Sequence, residues 1–577
     1  MIVPEDTKPC FKKQQTIVSE QLNHRQITRF DDLPNELLLI ICRYLKPTDV
    51  LNAFLKLGYR YSMCISDYYT RINLTKYSYT DMQYVFTEFL IRRILPSSLI
   101  VSNKMIPNQI RTFFSPKLTT MKSSYYTHVH QLSLIDCNQC EMGMINWYVN
   151  LFSSLQSFCL VESMSKNIYP MTHLTHEVLR EIVFDMKFTK LTEIKLMVND
   201  GMILDKQLHS NLLLKRLTIS LRTIDDLFVL LDGLVANLIE LDVTLCTGHA
   251  SRRLLLPFKS NIFPMVHLTK FLLTTKQEVE MRSEYLFNIV KFLSQIDTLI
   301  IDIKNWIHPD YIFVQGHQIE MIIDQFMPRL QHFYCYIRTE CHIDMTTFVG
   351  FNQRWQIACG MTSNDFYSHL YTVPWSFKEL KTSMLANEDT MSICPNVLDL
   401  TVDKSCSNLS QRFPKINTLT VLCKCEFSSG NFPRLRHLTI RNIEVVSMIG
   451  SHIHTLTLIE MPRSATHSSI YTNILHLTLD NIQISSLQTI MVLVRYFPNL
   501  CSLKIQFEMS KDYFDSLDVL LDHQHLPHLM LLKTNWINEN NNIQPEIKSW
   551  IIEKTILKWR SKPFLAFRQD NNWIVWL

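Results

Sequence analysis

Apolar positions recur along this chain in one short register. From residue 129 onward an apolar residue is followed by two variable ones, an apolar one, a variable one and another apolar one. VHQLSL, LQSFCL, LTEIKL, LKRLTI, LIELDV, LTKFLL, IDTLII and LQHFYC carry the pattern through residue 335, and VLDLTV, INTLTV, LRHLTI, IHTLTL, ILHLTL and LCSLKI resume it, with LMLLKT a degraded last copy. Alternation such as Leu438 and Ile440 puts both side chains on one face of a short strand, with Leu435 packed beneath the preceding turn. One such unit cannot bury its own face, whereas stacked copies can, as a parallel sheet.

In the second group the central residues Leu400, Leu419, Leu438, Leu456, Leu477, Leu503 and Leu532 are 19, 19, 18, 21, 26 and 29 residues apart. By spacing and consensus the region resembles the leucine-rich-repeat family. Long copies, 283 to 301 and 484 to 505, leave room for an outer helix; the short ones leave room for loops and a turn of 3₁₀ helix. The asparagine that ends the family's consensus is replaced by Lys424, Ile443, Met461 and Ile482, so no asparagine ladder forms, and Pro precedes many copies instead (FPKI, FPRL, FPNL, MPRL).

Two stretches depart from the pattern. Residues 336 to 393 read as a long copy with an inserted loop, or as an excursion that contacts a substrate. Trp536, Trp550, Trp559, Trp573 and Trp576, five of nine tryptophans, fall in the last 42 residues. There PEIKSWIIEKTILKW reads as a helix with Ile547, Trp550 and Ile551 on one face, and FLAFRQDNNWIVWL as a hairpin closing the array.

Ahead of the array, LPNELLLIICRYL reads as a helix begun by Pro34, with Asp31, Asp32 and Glu36 at its positive end and Leu37, Ile40, Ile41 and Tyr44 along one face. Pro47 stops it, Thr48 caps the next helix, and Val50, Leu51, Phe54 and Leu57 continue the apolar pattern. So small a unit is expected to dock on something. The run Leu33, Pro34, Glu36, Leu37, Ile41, Leu45, Asp49, Val50, Leu51, Leu57 resembles an F-box, departing from it at Gly58 and at Tyr61, where the family usually has Trp.

The resemblance to F-box proteins with leucine-rich repeats implies an α/β fold: an irregular leucine-rich-repeat solenoid (horseshoe) preceded by a small helical F-box and closed by a C-terminal cap. The expected divisions are a flexible segment 1–27, F-box 28–75, helical linker or N-terminal cap 76–128, repeats 129–335, irregular segment 336–393, repeats 394–534 and cap 535–577. It further implies a non-enzymatic substrate-recognition subunit of an SCF-type, cullin-based ubiquitin ligase. The F-box would dock on the adaptor subunit through Leu33, Pro34, Glu36, Leu37, Ile41, Leu45 and Leu51, while the repeats hold a substrate protein near the charged enzyme. The other readings are a scaffold whose F-box no longer binds the adaptor, and an enzyme, such as an acyl transferase, with Cys and His far apart in sequence.

Composition narrows the field. Lys+Arg number 57 against Asp+Glu 53, a net of +4 over 577 residues, so nucleic acid is not an expected partner. The first thirty residues lack a secretory pattern and no apolar run approaches ~20 residues, so the chain reads as cytoplasmic or nuclear, with reduced cysteines and no membrane partner. The closest glycines, Gly350 and Gly360, are too far apart for a phosphate loop or nucleophile elbow, and HEVLR lacks the second His of a zinc protease. Cys137 and Cys140, and His523, His525 and His528, look like halves of zinc sites without second halves, so no metal or cofactor is expected.

Strand register indicates where a partner would lie. With Leu419 and Val421 inward, Thr418 and Thr420 point out, and the next copies expose His437 and Thr439, Thr455 and Thr457, His476 and Thr478, Ser502 and Lys504. These concave-face residues are the expected substrate contacts.

Overall fold

The computed structural model describes residues 33–45, 47–92, 95–104, 108–114, 126–138, 140–142, 145, 151–162, 173–184, 188–204, 208–247, 265–276, 283–306, 315–361, 367–384, 393–404, 408–423, 432–441, 449–460, 470–508, 512–535, 547–559, 564–569 and 572–577. The expected flexible segment 1–27, Trp536 and the positions Lys424, Ile443 and Met461 lie outside the described residues. The chain divides into two units, Met1–Ile72 and Asn73–Leu577.

In the first unit Pro34 precedes helix Asn35–Tyr44, which carries Glu36 in its first turn and Arg43 in its last, both favourable to the helix dipole. Helix Pro47–Phe54 follows, with Asp49 in its first turn. Gly58 takes φ 132°, a conformation closed to most side chains, and so turns the chain into helices Tyr59–Cys64 and Ser66–Thr70. Leu38, Cys42, Val50, Leu51, Phe54, Tyr61 and Ile65 are buried, with the Phe54 and Tyr61 rings 6.3 Å apart. Tyr61, at the position where the F-box pattern has Trp, is thus a core residue here.

Two large sheets follow, one of twelve strands, the first of them Arg71–Asn73, and one of ten. In the first, parallel strands follow chain order from Ser98–Ser102 through Gln131–Cys137, Ser157–Glu162, Glu193–Met197, Arg216–Leu221, Glu240–Leu245, Lys270–Thr275 and Thr298–Trp306 to His332–Thr339. Ser368–Thr372 then pairs antiparallel with His332–Thr339, and Ile357–Met361 antiparallel with Ser368–Thr372. The second sheet runs in parallel from Glu379–Lys381 through Asp399–Val402, Thr418–Val421, His437–Ile440, Thr455–Leu458, His476–Ile484 and Ser502–Phe507 to Leu531–Asn535. An antiparallel hairpin, Asn572–Trp576 and Leu565–Gln569, ends it.

Alternation explains these strands. Leu380, Leu400, Leu419, Leu438, Leu456, Leu477, Leu503 and Leu532 form one unbroken row of register partners, all buried, so each leucine packs on its neighbours above and below. Helices Ser283–Phe292 and Leu487–Tyr496 occupy the two long copies as expected. Phe413, Phe432 and Phe497, each preceding a proline, are buried beneath the turns that feed the following strands.

The fold class departs from the sequence expectation of one horseshoe solenoid with a small helical F-box in front and a cap behind. The molecule has two separate, mostly parallel mixed sheets. The antiparallel strands Ser368–Thr372 and Ile357–Met361 end the first parallel ladder, and they lie in the stretch 336 to 393 that read as a loop or an excursion. Tyr336, in register with Asp302 on one side and Tyr371 on the other, is buried on the sheet face opposite Phe333 and Cys335. There it joins the core of the second sheet with Tyr371, Trp375 and Leu380, so the second core begins on the other face of the first sheet. The C-terminal hairpin supplies two strands of the second sheet. The small helical F-box expected in front is not found; the segment is four short helices, the first burying Leu38 and Cys42 and exposing Leu37, Ile40 and Tyr44.

Candidate functional site

The outward side of the first unit is unusually apolar. Leu37, Leu39, Ile40, Tyr44, Leu45, Leu57, Tyr59 and Met63 are all exposed, Tyr44 and Tyr59 by more than 80%. Most stable folds keep such side chains inside, and exposed apolar residues at this density suit a surface that another molecule covers. Of the expected adaptor contacts, Pro34, Glu36, Leu37 and Leu45 are exposed and Leu33 and Ile41 are half-buried. Leu51, 1% exposed, faces the inside of the unit and is not on that surface. Arg60, which sequence reasoning missed, fixes the entrance to the first helix: its Nη2 donates to the Leu33 carbonyl and its Nε donates to Asn35 Oδ1 at 3.0 Å. No sequence pattern pointed to it, because the contact spans 27 residues.

In the second unit the outward face of the ten-stranded sheet carries two register rows. One holds Asp399, Thr418, His437, Thr455, His476, Ser502 and Leu531; the other holds Lys381, Thr401, Thr420, Thr439, Thr457, Thr478, Lys504 and Lys533. All nine expected contacts (Thr418, Thr420, His437, Thr439, Thr455, Thr457, His476, Thr478, Lys504) therefore share one face, His437 exposed and the others half-buried. Five threonines stand side by side at roughly 4.8 Å per strand, each hydroxyl able to donate and accept.

The corresponding face of the first sheet is charged. Glu193, Arg216, Glu240 and Lys270 occupy one row on adjacent strands, with Arg216–Glu193 at 2.8 Å and Lys270–Glu240 at 3.8 Å. Burial raises the Asp242 carboxyl, and Lys195, Lys270 and Lys378 oppose the rise. Where the two sheets meet, Lys304 Nζ lies 3.9 Å from Asp302 Oδ2 and 3.3 Å from Glu379 Oε2.

Nothing among the described residues gathers into a chemical centre. Cys137 is buried, its thiol pushed well up by burial, while Cys140 is exposed, and His525 Nδ1 pairs with Asp522 Oδ2 at 2.9 Å. No group of three His, Cys, Asp or Glu among the described residues is placed to hold a metal, and no described helix is long and apolar enough to cross a membrane.

Carboxylates do work the sequence did not disclose. Glu162 Oε2 accepts from the Asn199 N–H at 2.6 Å, Asp226 Oδ1 from the Leu204 N–H at 2.8 Å, and Asp403 Oδ1 from the Ser383 N–H at 2.9 Å. They satisfy loop amides of adjacent copies, and burial raises the Glu162 and Asp226 carboxyls.

No known protein family matches the chain, and no curated protein matches it. Among solved structures it is similar to the crystal structure of a Rad7 and Elc1 complex in yeast, at 12% identity over 88% of this chain and 96% of that one, with a TM-score of 0.25.

Proposed function

We propose that this protein is a non-enzymatic recognition subunit: its first unit docks on the adaptor of a cullin-type ubiquitin ligase, and the outward face of its second sheet holds a substrate protein. The observation that carries the reading is the exposed apolar surface Leu37, Ile40, Tyr44, Leu57, Tyr59 and Met63, on the segment whose sequence resembles the F-box motif. Such a surface has a large free energy to gain from burial, on the order of 25 cal/mol per Å² of apolar area covered. The threonine hydroxyls of these rows supply hydrogen bonds suited to a polypeptide. The chain itself would perform no reaction; it raises the local concentration of target lysines beside an enzyme carried by another subunit.

Co-expression with the adaptor tests this. The adaptor is expected to co-purify with the full chain and to be lost when Leu33 and Pro34 are both replaced by Ala. Retention of the adaptor after removal of residues 33–70 refutes the docking site. A chain that never captures the adaptor, yet holds a protein on the threonine rows, is a scaffold outside any ligase.

A further inference from the structure

We infer that the C-terminal cap carries a separate docking surface centred on Trp559. It takes an acidic segment of a partner protein, with one apolar side chain packed on the indole and carboxylates beside Lys548 and Lys558. The inference starts from the clustered tryptophans. Trp573 and Trp576 are fully buried, as closure of the array requires, whereas Trp559 is 78% exposed. Among the described residues of the second unit it is the one exposed Trp, Tyr or Phe.

The backbone that carries this ring is fixed. Trp559 ends the 3₁₀ turn Ile556–Trp559, where the Ile556 N–H donates to Asp518 Oδ1 at 2.6 Å and the Lys558 N–H to the Thr555 carbonyl at 3.3 Å. Ile551, in helix Ile547–Lys554, and Leu557, in the turn, are buried in the core of the second sheet. The exposed indole therefore sits on an anchored scaffold, and it forgoes the burial that Trp573 and Trp576 gain. Asp518 belongs to helix Tyr513–Leu521, whose Leu517 and Leu520 pack in the same core as Leu503 and Leu532. The cap turn thus lies on the helix side of the sheet, away from the threonine rows.

Charge selects the occupant. Lys558 Nζ lies over the Trp559 ring, 5.1 Å from its centroid, and Lys548 Nζ over the Phe564 ring, 5.5 Å from its centroid. Neither ammonium forms an ion pair among the described residues: Glu553 pairs with Lys554 at 3.3 Å, and Asp518 is engaged by the Ile556 amide. From 546 to 562 the sequence holds Lys548, Lys554, Lys558, Arg560 and Lys562 against Glu546 and Glu553. Such a surface attracts carboxylates. Single-stranded nucleic acid stacks successive bases on successive aromatic rings, and one exposed ring serves one base. An anionic membrane takes a broad apolar face, whereas the exposed apolar side chains described on this cap are Ile552 and Trp559. A protein segment with one apolar anchor flanked by Asp or Glu matches a lone indole among lysines, and Trp is enriched where binding energy concentrates.

The test titrates fluorescein-labelled twelve-residue peptides against the full chain by anisotropy. One carries a central Phe flanked by two Glu on each side, a second has Gln for Glu, and a third has Ser for Phe. The Glu–Phe peptide is expected to bind, more weakly as salt rises, and each of the others to bind roughly tenfold or more weaker. Trp559→Ala should weaken the Glu–Phe peptide by a similar factor and leave the melting temperature within about 2 °C, because the side chain is exposed. Lys548→Gln with Lys558→Gln should abolish the preference for Glu over Gln, while Lys558→Arg, which keeps the charge, retains it. Adaptor co-purification should be unchanged in each variant, so this surface and the docking reading fail separately. No binding of the Glu–Phe peptide, equal binding of the three peptides, undiminished binding by Trp559→Ala, a larger fall in its melting temperature, or a Glu preference that survives the double lysine variant each overturns the inference. So does tighter binding of twelve-nucleotide single-stranded DNA or of phosphatidylserine vesicles.

Discussion

The rings of Tyr336 and Trp375 lie 5.2 Å apart, centroid to centroid, and with Tyr371 and Phe377 they fasten the end of the first sheet to the beginning of the second. Trp375 is 2% exposed, and its Nε1 donates to the Glu379 carbonyl at 3.1 Å. Replacing Trp375 by Ala empties this joint and is expected to cost about 3–5 kcal/mol in urea unfolding. A loss below about 1 kcal/mol would mean that the aromatic cluster does not hold the sheets together.

At the same joint burial raises the Asp302 carboxyl from 3.8 to about 6; Lys304 opposes the rise and Glu379 adds to it. The folded chain therefore holds this proton more tightly than the unfolded one, so stability is expected to fall as pH rises from about 4 to about 6. Asp302→Asn removes that dependence, giving a more stable protein at pH 7.5, by up to about 3 kcal/mol, and little change at pH 4. Thermal melts of both proteins at the two pH values check it; an equal shift at both would assign the effect to packing.

The C-terminal hairpin is expected to be a stability element. Trp573, Ile574, Val575 and Trp576 are all buried, and Trp573 Nε1 donates to the Tyr513 hydroxyl at 3.0 Å. Tyr513→Phe should lower unfolding free energy by about 1–2 kcal/mol, and removal of residues 564–577 should cause aggregation. A truncated chain that stays monomeric with an unchanged melting temperature contradicts this role.

How much the sequence disclosed depended on whether the controlling contacts were local. The leucine row from Leu400 to Leu532 and the opposed threonine row were legible, because strict alternation fixes which side chains share a face. The end of the first sheet was not. Ile357–Met361 and Ser368–Thr372 are short and lack the repeat, and their antiparallel pairing is set by contacts with a strand some thirty residues away. Which residues of the first helix lie inside was not legible, because Leu37 to Cys42 are all apolar and leave no polar stripe to fix its inner side; tertiary packing selected Leu38 and Cys42. Glu162, Asp226 and Asp403 satisfy loop amides from positions other than the one where the repeat consensus carries asparagine, so their role was not legible in the pattern.

The central claim is that the outward apolar side of the first unit, not its buried side, binds the adaptor of a cullin-type ligase. Its most direct test is the affinity of purified adaptor for the full chain by titration calorimetry, comparing wild type with Leu37→Asp plus Ile40→Asp and with Leu51→Val. The outward pair, 44% exposed at both positions, should lose roughly a hundredfold or more in affinity with unchanged circular dichroism, while Leu51→Val, altering a side chain 1% exposed, should lower the melting temperature and leave affinity within about threefold. A wild-type chain that does not bind the adaptor, or an outward double variant that binds it as tightly as wild type, would contradict the account.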